Sequence, residues 1–218
     1  MKKLFLSAAI AMGSLTFAQT FGIKAGMNVS SLSKDASMDD AKSKIGFNGG
    51  LFMNAPIAEN FSIQPELIYT QYGNKSTTTN SYTTGTSSVV EKTTGSTNLD
   101  YIALPVMFQY NATPQFYLEA GPEFGLLMSG KVKGDRTVTT TTGATTTTST
   151  SAVSTDIKDN LNTFNFGVGL GAGYYFTPNL GLTARYVAGL TDIAKDRPSG
   201  SSAIKNNVFQ VGLAFKFK

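Results

Sequence analysis

The sequence predicts an all-β fold: eight antiparallel strands closed into an up-and-down barrel that crosses a membrane, with short periplasmic turns and long extracellular loops. Three observations carry this reading. Eight segments alternate apolar and polar residues with the two-residue period of a strand. The connections between them alternate long and short without exception, and the apolar residues beside the short connections are aromatic, as at the interface of an outer-membrane barrel. No stretch approaches the roughly 18 consecutive apolar residues that a helical span needs.

The chain has 218 residues. It opens with Met1-Lys2-Lys3, an apolar run from Leu4 to Leu15 and small residues around Thr16-Phe17-Ala18. This is the pattern of a secretory signal peptide, 1–18, cleaved before Gln19 to leave 19–218 as the barrel domain. Without Lys2 and Lys3 the 18 basic residues become 16 against 14 acidic ones, and the formal charge falls from +4 to +2. The remaining Lys and Arg are scattered among Asp and Glu, so the composition offers no basic stripe for nucleic acid.

Strands are expected at 21–30, 44–55, 61–72, 99–110, 115–129, 163–176, 180–190 and 207–217. In the first, Phe21, Ile23, Ala25, Met27 and Val29 alternate with Gly22, Lys24, Gly26 and Asn28. In the third, Phe61, Ile63, Leu67 and Tyr69 oppose Ser62, Gln64, Glu66 and Thr70. The fourth places Ile102, Leu104, Val106, Phe108 and Tyr110 on one face and Tyr101, Ala103, Pro105, Met107 and Gln109 on the other. In the sixth, Phe164, Phe166, Val168, Leu170 and Tyr174 alternate largely with glycine. The glycines at 167, 169 and 171 fit a dinucleotide fingerprint only formally, because that motif needs a strand feeding a helix and here the alternation continues through Phe176.

The short connections, 56–60, 111–114 and 177–179, each contain a proline; the long ones are 31–43, 73–98, 130–162 and 191–206. Phe21, Phe61, Tyr110, Phe116, Phe176 and Phe217 have outward parity beside the short turns and are expected to form a periplasmic aromatic girdle. Parity turns Lys24, Glu66, Glu119, Glu123, Arg185 and Lys216 inward, three charges of each sign. Isolated charges in a narrow interior are costly to desolvate. A salt-bridged plug is therefore expected around Glu66, Glu119, Glu123 and Arg185, with Lys24 and Lys216 nearer the periplasmic rim; the sharper alternative is a narrow ion path.

The chain holds no Cys and no His, which removes disulfides, thiolate metal sites and the commonest general base. No catalytic, cofactor or metal residue is expected. Glu119 and Glu123 stand about 13 Å apart along a strand, and Asp35, Asp39 and Asp40 lack the spacing of a calcium loop. Twenty of the 28 Thr lie at 77–97 and 137–155, within two long loops. Mobile tails are one reading of them; protruding, partly ordered hairpins that continue the barrel strands are the favoured one. Lys131, Lys133 and Arg136 above the fifth strand are placed to meet lipid phosphates or to solvate a loop base.

Three stretches resemble the small outer-membrane β-barrel families of Gram-negative bacteria, particularly the PorT-like barrel group: Phe21-Gly22-Ile23-Lys24-Ala25-Gly26-Met27-Asn28, the run from Tyr101 to Tyr110, and Tyr117-Leu118-Glu119-Ala120-Gly121-Pro122. The resemblance implies a barrel in outer-membrane lipid. The functional expectation is a non-enzymatic, monomeric envelope protein with a structural role and surface interaction through its long loops. The alternatives are a narrow pore or accessory barrel in transport or protein secretion, and a soluble lipocalin-like binder with an apolar interior.

Overall fold

The computed structural model describes residues 19–33, 42–195 and 202–217. The expected signal peptide and the acidic residues Asp35, Asp39 and Asp40 lie outside the described residues. Among those described, nine strands follow in chain order: β1 Thr20–Leu32, β2 Lys42–Ala58, β3 Phe61–Thr84, β4 Ser87–Asn111, β5 Phe116–Thr142, β6 Thr145–Asp156, β7 Phe164–Tyr175, β8 Leu180–Gly189 and β9 Asn206–Lys216.

All of these except β6 form a closed ring, β1-β2-β3-β4-β5-β7-β8-β9. Every neighbouring pair is antiparallel, and β9 returns to β1 from Gly22↔Lys216 to Leu32↔Asn206. Alternation decides which way each side chain faces. On β1, Phe21, Ile23, Met27 and Val29 are exposed outward while Lys24, Asn28 and Ser30 are buried. On β4, Leu104, Phe108 and Tyr110 are outward while Tyr101, Ala103, Met107 and Gln109 are buried. The outer wall is apolar around the whole ring, with Ile45, Leu51, Leu118, Leu170 and Leu213 all exposed. That is the reverse of a soluble lipocalin-like binder, and the expectation of such a binder is discarded.

Strand ends differ from the sequence reading in two places. The first short connection shrinks to Glu59 and Asn60, because β2 continues through Pro56 to Ala58 with a register shift that absorbs the proline. The two Thr-rich connections are strand. β3 and β4 stay paired up to Thr84↔Ser87, β4 and β5 up to Ser87↔Thr142, and β6 adds to β5 from Lys131↔Asp156 to Thr142↔Thr145. Two of the four long loops are thus one four-stranded sheet that prolongs the barrel wall. Its two-residue hairpin tips turn at Gly85 and Gly143, with φ of 60° and 58°, the left-handed backbone that such turns demand.

At the opposite end the turns at 112–115 and 176–179 repeat one device. The Thr113 hydroxyl accepts the N–H of Phe116 at 2.9 Å, and the Thr177 hydroxyl accepts that of Leu180 at 2.9 Å. In each, the following proline presets the turn and lacks a donor to leave unpaired.

Three inward aromatic rings close this end, each laid over a glycine on the neighbouring strand: Phe52 opposite Gly22, Tyr117 opposite Gly173 and Tyr175 opposite Gly181. A Cβ at any of the three glycines would collide with the ring. Substituting Gly173→Leu is therefore expected to displace the Tyr117 ring. Overpacking of this kind costs about 1–3 kcal/mol. Unboiled protein should lose its compact gel mobility at a lower temperature, whereas Gly85→Asn at a hairpin tip, with nothing nearby to meet, should leave that temperature unchanged.

Candidate functional site

Barrel closure brings inward groups from strands far apart in sequence onto one level of the lumen. Arg185 on β8 sets its guanidinium bidentate on Glu66 of β3, with Nη1 to Oε2 at 2.9 Å and Nη2 to Oε1 at 2.8 Å. Its Nε donates to Glu119 of β5 at 2.8 Å. Lys24 on β1 donates to Glu66 Oε1 at 2.6 Å. Amides complete the shell: Gln64 donates to Glu66 at 2.7 Å, Gln109 to Glu119 at 3.0 Å, and Asn54 to Gln109 at 2.7 Å. Two cations and two carboxylates make this cluster neutral, and all four are buried.

Two of the inward charges stand elsewhere than expected. Lys24 belongs to the cluster instead of the rim: its register partner on β2 is Gly50, and its ammonium reaches past that strand to Glu66 on β3. Glu123 is outside the cluster. It accepts the Tyr72 hydroxyl at 2.6 Å, four positions along β5 from Glu119. Lys216 sits at the short-turn end with its ammonium 3.8 Å from the centre of the Tyr175 ring.

Apolar layers bracket the polar one. Toward the short turns are Phe52, Tyr117, Tyr175 and Ala214. Toward the long loops, Leu32, Tyr72, Leu99, Tyr101, Leu127 and Leu161 pack with Val187, Ile193 and Val208. Sequence reasoning missed these layers. Their signal is the doublet: Phe116-Tyr117, Tyr174-Tyr175 and Leu51-Phe52 each put one large apolar side chain on either face of a strand.

Outside the ring, Phe21, Phe61, Tyr110, Phe116, Phe176 and Phe217 are all exposed beside the short turns, and Phe61 pairs across strands with Tyr110 at 5.3 Å between ring centres. Aromatics also mark the other end of the outer wall, where Phe47 meets Tyr69 at 5.5 Å and Phe124 meets Phe166 at 5.3 Å.

The projecting sheet is a hydroxyl-rich surface. Thr137, Thr139 and Thr141 stand opposite Thr150, Thr148 and Thr146, with hydroxyl contacts of 3.2, 3.3 and 3.1 Å. Arg136 clamps Glu91 through Nε and Nη2 at 2.5 and 2.8 Å, and that hydrogen bonding holds the Glu91 carboxyl below its ordinary range. Among the described residues β6 pairs only with β5, so its other edge presents free backbone N–H and C=O groups from Thr145 to Asp156.

No helix among the described residues is long and apolar enough to cross a membrane, and no group of His, Cys, Asp or Glu among them is arranged to hold a metal. Solved structures of similar shape include Neisserial surface protein A, with 15% identity over 92% of this chain and 99% of that one at a TM-score of 0.45. Ail, the attachment invasion locus protein of Yersinia pestis in complex with the heparin analogue sucrose octasulfate, shows 14% identity over 92% and 100% at 0.48. Acinetobacter baumannii CarO shows 14% over 89% and 97% at 0.37. No curated protein matches the chain in sequence. The family model described as an outer membrane protein beta-barrel domain matches residues 17–195. That agrees with the resemblance at the level of the outer-membrane barrel and leaves the narrower PorT-like group without support. The chain belongs to this family of outer-membrane β-barrels, and its apolar outer wall is the surface that outer-membrane lipid covers.

Proposed function

We propose that the protein is a non-enzymatic outer-membrane barrel with a closed lumen that holds a rigid, Thr-rich sheet above the cell surface as an interaction platform. The observation that carries this reading is the projecting sheet itself. Three of its strands run unbroken from the barrel wall, and its fourth has a free edge. Such an edge is a template for an added strand. From Thr137 to Thr155 neither Lys, Arg nor Pro blunts it.

In this reading residues 1–18 are the cleaved signal, both termini and the short turns are periplasmic, and Phe21, Phe61, Tyr110, Phe116, Phe176 and Phe217 are the inner-interface girdle. The protein acts as a monomer. The Lys24, Glu66, Glu119 and Arg185 cluster, stacked between two apolar layers, acts as a plug and not as a conduit. An eight-stranded barrel is just wide enough for its own side chains, and the central void beside Lys24, Glu66 and Arg185 holds about 20 Å³, the space of one water.

Three outcomes test this. Arg185→Ala strips Glu66 and Glu119 of their shared counter-ion, and breaking a buried pair costs about 3–5 kcal/mol. The variant should lose compact gel mobility at a lower temperature, while wild-type protein in planar bilayers stays at baseline conductance; steady wild-type conductance would overturn the closed lumen. A peptide tag inserted between Gly143 and Ala144 should be stained by antibody on intact cells, and staining only after the outer membrane is permeabilised would invert the orientation. Because the folded-state pKa of Glu91 is depressed, its pairing with Arg136 stabilises the sheet fully above about pH 4.3 and fades as pH falls through the lower folded value. Protease resistance of the sheet should be flat at neutral and mildly acidic pH and decline below about pH 4, a decline that Glu91→Gln removes.

A further inference from the structure

Three lysines meet on one rung at the base of the projecting sheet. Lys42 on β2 stands opposite Lys75 on β3, Lys75 opposite Ser96 on β4, and Ser96 opposite Lys133 on β5. Strands in a sheet are about 4.8 Å apart, so the three ammonium groups share a patch roughly 15 Å wide. Together with Ser76, Thr77, Thr94 and Gly95 they line a cleft of about 390 Å³.

Like charges directly opposite on neighbouring strands destabilise a sheet. None of the three lysines is in an ion pair among the described residues. Asp135, two positions along β5 from Lys133 on the same face, stands opposite Thr94 in register and forms no ion pair with them among the described residues. By contrast, every cation of the lumenal cluster has its carboxylate. A rung of uncompensated positive charge beside hydroxyl donors is the chemistry that receives a multiply charged oxyanion: each ammonium offers three donors, and phosphate offers only acceptors.

The position of the rung names the source. Lys75 continues the outward face of β3 that carries Leu67, Tyr69 and Gln71; on β5 a register shift between Leu127 and Ser129 flips the alternation, so that Lys133 follows the outward face above Met128. Lys133 is five residues beyond Met128, about 17 Å along the strand. A strand tilt near 40° makes this about 13 Å of height, which the headgroup layer, roughly 5–7 Å thick on each side, and the downward reach of the lysine stem cover between them. Lys131, on the same face and two residues lower, stands opposite Asp156 of β6, so the uncompensated charge is that of the Lys42, Lys75 and Lys133 rung.

We propose that Lys42, Lys75 and Lys133 form a binding cleft for the phosphate of an outer-leaflet lipid, seating the base of the projecting sheet on the membrane surface. The leaflet rests on the orientation proposed above; the cleft does not. Binding by detergent-solubilised full-length protein therefore reads the cleft alone, and the tag at Gly143 reads the orientation alone.

The probe is lipid A carrying both phosphates, titrated into the micellar protein and followed by native mass spectrometry. Parallel titrations use enzymatically dephosphorylated lipid A and inorganic phosphate. One lysine near an anionic surface is worth about fivefold in binding. Lys75→Gln should weaken diphosphoryl lipid A binding by about that much, and the Lys42→Gln, Lys75→Gln, Lys133→Gln triple variant by about 100-fold. Lys158→Gln, an exposed charge at the same end of the barrel, should change little. The variants must keep wild-type heat-modifiable mobility, which separates a lost site from a lost fold. Equal binding of dephosphorylated lipid A, or unchanged binding by the triple variant, overturns the proposal. Inorganic phosphate that competes as strongly as the lipid overturns the lipid assignment in favour of a free anion.

Discussion

A strand in hydrocarbon has no water to receive its N–H and C=O groups, so every one must find another strand. In this chain that demand is met by the return of β9 to β1, and most other features follow from it. Closure fixes each residue as inward or outward, since the pleat alternates and the sheet has no edge within the ring. The outward set must then be apolar, which is why Phe, Leu, Ile and Met stand exposed around the wall at a density that a soluble surface would not tolerate. An eight-stranded ring is just wide enough for its own side chains, so the inward charges solvate one another.

Self-solvation explains the geometry of the charged layer. Glu66 accepts from Lys24, Gln64 and both terminal nitrogens of Arg185, and Glu119 accepts from Arg185 and Gln109. These donors come from β1, β3, β4 and β8, so one hydrogen-bonded unit ties together walls that share no ladder. Buried ion pairs are weak contributors to net stability when compared with well-packed apolar residues. The distinctive consequence here is mechanical and specific: Arg185 offers a planar fork, only one placement of β8 against β3 and β5 satisfies it, and register around the ring is held from inside as well as by backbone bonds.

Facing was legible in the sequence because the two faces of each spanning segment differ so sharply in solvent. Lys24, Glu66, Glu119, Glu123 and Arg185 could all be assigned inward from parity alone. Their partners could not, since contact across a lumen depends on shear between strands and not on sequence spacing; hence Lys24 joined the cluster and Glu123 left it for Tyr72. The upper ends of β3, β4 and β5 were legible only as protruding hairpins, without their strand limits or pairing, for a related reason. Above the membrane both faces meet water, Thr serves either face, and the two-residue contrast vanishes although the strand continues. Pro56 misled in the opposite sense, because a proline reads as a turn but a register shift near a strand end accommodates it.

Continuity between barrel and sheet bears directly on what the projecting part does. Along β5 the outward face passes from Leu118 through Leu126 and Met128 to Lys131 and Lys133, and then to Thr137, Thr139 and Thr141. One strand thus crosses hydrocarbon, headgroup and water with the side chains each medium favours and no hinge between them. β4 does the same in reverse, and the two stay paired from Asn111↔Tyr117 to Ser87↔Thr142 with one register shift beside Asp100. A loop that must order itself on binding loses part of its interaction energy to lost conformational freedom. Strands already fixed by the barrel have lost that freedom on folding, so in the proposed role the β6 edge is preorganised for an added strand. The same rigidity limits adaptation: in that role the edge offers only backbone pairing and threonine hydroxyls in a fixed register, which favours extended segments over curved or globular surfaces.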